Sequence, residues 1–114
     1  LTKAFNKSLE TADQEDTKFL SIVTQRKIKS LVKQNKLTEA QLLVGKLIEM
    51  RGHYVDAHIL AAQIASKSNR DMDVVKSLNL ALNFTKDECK TLRRAKKIRR
   101  KEFEKRWKQV CQKL

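Results

Sequence analysis

The chain has 114 residues, a formal charge of +13, no proline and two glycines, Gly45 and Gly52. That length holds one modest core, and the scarcity of turn residues excludes strands joined by tight turns in favour of helices joined by short polar connections. No apolar run approaches the length that spans a bilayer, so a soluble chain without a membrane span is expected.

Helical periodicity begins at once. Ala4, Phe5 and Leu9 predict a short first helix. "DTKFLSIVTQRKIKSLVKQN" places Phe19, Ile22, Val23, Ile28, Leu31 and Val32 on the buried face of a second, from about residue 16 to 34. In "LTEAQLLVGKLIEM" the apolar residues Leu37, Ala40, Leu43, Val44, Leu47, Ile48 and Met50 keep helical spacing, with Thr38 and Gln41 as a capping box and Gly52 as the stop. "YVDAHILAAQIAS" follows, and Ile59, Ala61, Ala62 and Ala65 give a small-residue surface for close helix packing. Asp71 is the expected cap of "MDVVKSLNLALNF", in which Val74, Val75, Leu78, Ala81 and Leu82 face inward. Thr85 and Glu88 make a further capping box, opening one long terminal helix. Six helices with such short connections pack as consecutive antiparallel pairs.

The charge is concentrated in the terminal helix. Residues 89–114 carry +10, against +3 for residues 1–88. On a helical wheel Leu92, Phe103, Trp107, Val110 and Leu114 form an apolar seam that docks on the preceding hairpin, and the pairs Glu102 with Arg106 and Glu104 with Lys108 steady the exposed side. Between Arg93 and Lys101 the helix is basic all round, with Arg93, Arg94, Lys96, Lys97, Arg99, Arg100 and Lys101, so this part is expected to project beyond the core. Together with Lys105, Arg106 and Lys108 these cations form a candidate site for an acidic partner or RNA phosphates. Trp107 is a candidate stacking surface for an unpaired base. A calmodulin-type target helix and an anionic membrane surface fit the same pattern less well.

No catalytic constellation is present: there is no nucleophile elbow, no glycine-rich phosphate loop and no helical His-Glu-x-x-His. His53, His58, Cys89 and Cys111 lack the close cysteine spacing of zinc sites, so neither metal nor cofactor is expected. Two cysteines and no leader segment point to reduced thiols in a soluble intracellular protein, with Cys89 buried as a small apolar residue. The chain opens on Leu1, and is read as part of a larger protein.

A shift of 34 residues superposes Ala40 on Val74, Val44 on Leu78, Leu47 on Ala81 and Ile48 on Leu82. With this period and the segments "AHILAAQIA", "NKLTEAQLLV" and "FNKSLETAD", residues 1–86 resemble the tetratricopeptide repeat in degenerate copies that lack its large aromatics and closing proline. The pentatricopeptide repeat, which reads RNA with similar hairpins, has a period one residue longer. The resemblance implies an all-α solenoid fragment over 1–86, closed by a basic amphipathic capping helix over 87–114. It further implies a protein-interaction scaffold whose groove, lined by the helices near 16–34 and 55–67, holds a protein or peptide segment. One subset of that family grips acidic chaperone tails through Lys-x-x-x-Asn, a spacing that this chain lacks.

Overall fold

The computed structural model describes residues 2–112, with side chains from residue 17 onward. The described residues form six helices and no strand: α1 (Thr2–Lys33), α2 (Leu37–Met50), α3 (Val55–Lys67), α4 (Asp71–Phe84), α5 (Glu88–Ile98) and α6 (Arg100–Val110). Consecutive helices pack as antiparallel pairs, and α1 touches α3 while α3 touches α5. The odd-numbered helices therefore form an inner layer, with α2, α4 and α6 behind it. The molecule is a slab of 55 × 36 × 20 Å.

The 34-residue period is visible in the turns. Asn35 and Asn69, 34 residues apart, both adopt left-handed backbone, with φ of 61° and 60°. Each closes the same helix end, in which the Lys36 N–H donates to the Leu31 carbonyl at 2.9 Å and the Arg70 N–H to that of Ala65 at 2.9 Å. Asparagine tolerates this conformation at small cost, which is why a three-residue turn without glycine serves twice. The next unit departs from the pattern: α5 and α6 are separated by Arg99 alone.

Two apolar clusters share α3. Ala57, Leu60 and Ile64 pack with Ile28, Leu31, Val32, Ala40, Val44 and Leu47 from α1 and α2. From its other side Ile59, Ala62 and Ala65 pack with Val74, Leu78, Ala81, Leu82, Leu92, Ala95 and Phe103. Small residues line both sides of this central helix, so its neighbours approach closely. The residues read as repeat core are buried, apart from Ala61, which is partly so.

Several expectations are corrected. The helix of residues 16–34 begins at Thr2, as one continuous α1; the side chains of Ala4, Phe5 and Leu9 lie outside the described residues, as does Leu114. Phe19, Ile22 and Val23 are exposed rather than inward. At about 1.5 Å per residue α1 is roughly 48 Å long and α2 roughly 21 Å. Met50, the last residue of α2, lies 4.0 Å from Ser21, so α2 ends level with this turn of α1. Met50 is itself exposed.

The capping boxes are not used. Lys36 and Arg70 precede α2 and α4 without side-chain caps, and Asp87 caps α5 by accepting from the Lys90 N–H at 3.1 Å. The terminal segment is a hairpin, not one long helix. A continuous helix would carry Phe103 about 16 Å along the axis from Leu92; reversal at Arg99 brings both into one buried cluster.

Candidate functional site

The hairpin reversal changes the status of the basic tract. Arg93–Lys101 does not project: Ala95 within it and Leu92 just before it are fully buried, and most of its cations are engaged internally. Arg94 reaches Asp56 of α3 at 2.5 Å. Arg99 binds Asp71 at 3.1 Å and Glu102 at 3.3 Å. Arg100 and Lys108 share Glu104, and Arg106 reaches Glu88 at 2.8 Å. Of the two expected i,i+4 pairs, Glu104 with Lys108 forms at 3.9 Å, whereas Glu102 turns to Arg99. The bond donated by Arg100 holds the Glu104 carboxyl below its usual range.

Trp107 does not offer a free ring. It packs on the core formed by α3, α4 and α5, and the Lys96 ammonium sits 3.9 Å over its centroid, a cation–π contact that occupies one face. Lys96 is thereby removed from the candidate contacts as well. Among the ten basic residues singled out, Arg93, Lys97, Lys101 and Lys105 are exposed and make no ion pair among the described residues.

The cysteines are also corrected. Cys89 and Cys111 are bonded to each other, with Cα atoms 5.5 Å apart, joining the start of α5 to the residue after α6. His58 is buried and donates Nε2–H to the Gly52 carbonyl at 2.8 Å, while the His53 ring meets Phe84 edge-on.

What replaces the tract is a face. The exposed surface of the inner layer presents Lys29 and Lys33 from α1, Lys67 from α3, and Lys90, Arg93 and Lys97 from α5. Helical spacing aligns them: Lys29 with Lys33, and Lys90 with Arg93 and Lys97, lie three or four residues apart on single faces. The period aligns them between helices, since Lys33 and Lys67 are 34 residues apart and each ends its helix. Lysine there also complements the helix dipole. None of the six makes an ion pair among the described residues.

Charge is partitioned between the layers. Residues 17–33, α3 and α5 together carry eleven Lys or Arg against two carboxylates, Asp56 and Glu88. Helices α2, α4 and α6 carry seven cations against six carboxylates, Glu39, Glu49, Asp71, Asp73, Glu102 and Glu104, and are close to neutral. Behind the face, between α2 and α4 and floored by α3, lies a cleft of about 280 Å³ lined by Val44, Ile48, Ala61, Ile64 and Leu80 and rimmed by Arg70 and Asp73.

Asp56 is the fixed point of the cationic face. Its Oδ2 accepts from Gln25 of α1 at 3.3 Å while its Oδ1 takes Arg94 of α5, and Tyr54 donates its hydroxyl to Gln25. One carboxylate therefore ties the three inner helices together. Burial pushes its carboxyl up, but the Arg94 bond and charge, with Gln25 and Lys29, outweigh this and leave it below the ordinary range. Burial, then the Asp56 charge, raises the Tyr54 hydroxyl. A carboxyl depressed by folding contributes stability above its unfolded value near 3.8, lost as pH falls through the lower folded value. Denaturant unfolding followed down through that window should show a loss that Asp56→Asn abolishes; an unchanged acid dependence would mean that the bridge is absent in solution.

Sequence reasoning found Lys97 and Arg93 but missed Lys29, Lys33, Lys67 and Lys90. Part of the signal was available in the recurrence of lysine at 33 and 67, 34 residues apart; Lys101, one period further on, falls on α6 and off this face. The described helices include none that is long and apolar enough to cross a membrane. Compared with family models, curated proteins and solved structures, the chain matches none of them.

Proposed function

We propose that the chain is a non-catalytic, tetratricopeptide-like interaction module of a larger protein, and that its inner-layer face holds an acidic partner. The observation that carries this reading is the partition of charge. On residues 17–33, α3 and α5 eleven cations stand against two carboxylates, and both are already claimed, Asp56 by Arg94 and Glu88 by Arg106. Such a field attracts anions and speeds their encounter. The face is also the one between the helices near 16–34 and 55–67, where repeat hairpins of this kind offer a continuous surface.

The test is retention on an immobilised polyanion such as heparin with elution by salt. Lys29→Glu combined with Lys90→Glu should elute at much lower salt than Lys46→Glu combined with Lys76→Glu, although both pairs change the net charge equally. Equal shifts would show that net charge alone governs retention, and the reading would fail.

A further inference from the structure

We infer that the acidic partner is a single-stranded nucleic acid, laid across α1, α3 and α5 with its phosphates on Lys29, Lys33, Lys67, Lys90, Arg93 and Lys97. The inference rests on the polyanion reading above and narrows it to one polymer. Three observations favour phosphodiester over an acidic polypeptide.

The first is the spacing of the cations. Packed helices lie about 8–10 Å apart, and Lys90 to Lys97 spans about 10 Å of α5, so the cations form a spaced grid rather than a clamp around one carboxylate. A polymer with a charge on every monomer can neutralise such a grid wherever it crosses.

The second concerns what the face lacks. Peptide partners gain most of their affinity from side chains seated in desolvated pockets, yet the apolar-floored cleft opens on the other layer, between α2 and α4. None of the six cations lines a cleft among those described, and a face that presents mainly charge suits a backbone that carries the charge itself.

The third is an aromatic ring placed where a base can reach it. Phe19 is 67% exposed, and on α1 it lies one heptad from Arg26 and on the same side as Lys33, about 15 Å along the helix from Lys29, the nearest cation of the grid. An exposed ring beside cations accepts the face of any base. The resulting mode has no base-edge readout and therefore no strong sequence preference.

The experiment is fluorescence anisotropy on the intact 114-residue chain with a labelled oligouridine of about ten nucleotides, beside a polyglutamate of equal charge and a duplex of equal length. With six phosphate contacts at about 0.7 per contact, the slope of log K against log salt is expected near about −4. In Lys33→Gln/Lys67→Gln/Lys97→Gln it should fall to about −2. Phe19→Ala should weaken the oligonucleotide about tenfold and leave polyglutamate unchanged. If polyglutamate binds at least as tightly and Phe19→Ala is silent, the face serves an acidic protein, and the inference is overturned while the reading above stands. Equal binding of the duplex overturns the single-strand assignment. Binding of none of the three overturns both.

Discussion

Replacing Leu92 by alanine should lower the unfolding free energy by about 2–5 kcal/mol, the cost of emptying a fully packed aliphatic site. Leu92 has no exposed surface and lies in one cluster with Ile59, Leu78 and Phe103. It belongs to the most basic segment of the chain, where a solvated capping helix would tolerate the change within about 0.5 kcal/mol. The same packing predicts that a chain ending at Glu88 loses its cooperative thermal transition. Truncation strips Leu92, Ala95 and Phe103 from the cluster and exposes Leu78 and Ala81. Urea unfolding of Leu92→Ala beside Leu78→Ala is the direct comparison. Similar losses support a core that runs through α5; a silent Leu92→Ala contradicts it.

Reducing the Cys89–Cys111 bond should cost about 3 kcal/mol by the chain-entropy estimate for a loop of this size, the two cysteines being 22 residues apart. The effect should fall on the last hairpin. Among the described side chains of α6, Phe103 is buried and Trp107 half-buried, while its remaining contacts are surface ion pairs of small individual worth. With the bond open, α6 is held mainly by those two rings. Amide exchange in α6 should therefore rise with reductant, or in Cys89→Ala/Cys111→Ala, while α2 and α3 stay protected. Unchanged exchange and stability would show that the pair contributes nothing to holding the hairpin.

The helices from Leu37 to Phe84 were legible because each carries an apolar stripe at one period and is bounded by polar residues. The two ends were harder for one shared reason. Periodicity reports which residues share a face and is silent about whether a partner covers it. Phe19, Ile22 and Val23 keep the spacing of a buried stripe but lie opposite Ser21 and Ile28, on the side of α1 that α2 does not reach. In the terminal segment Leu92 and Phe103 fall on one wheel position, and a continuous helix satisfies that pattern as well as a hairpin does. No proline or glycine marks the break at Arg99. What selects the hairpin is tertiary: burial of Phe103 and Trp107 against α3, α4 and α5, together with the covalent tie between its ends.

The candidate site was misread in the same way. A run of cations in sequence looked like a surface, but helical geometry sends Arg94 to Asp56, Arg99 to Asp71 and Lys96 over Trp107. The exposed face is assembled from cations of three helices, of which Lys33 and Lys67 are 34 residues apart, and their proximity depends on the stacking of α1 on α3 and of α3 on α5. The recurrence of Lys33 and Lys67 is plain in the sequence; without knowing which helices share a layer, it carries no spatial meaning.

The central claim is that the inner layer, rather than the terminal hairpin alone, is the binding surface. The most direct test follows the backbone amide resonances of the isotope-labelled chain during titration with a short single-stranded polyanion. Shifts spread over Lys29, Lys33, Lys67, Lys90 and Lys97, with α2 and α4 unmoved, are the predicted result; shifts confined to Lys101, Lys105 and Lys108 of α6 would contradict it.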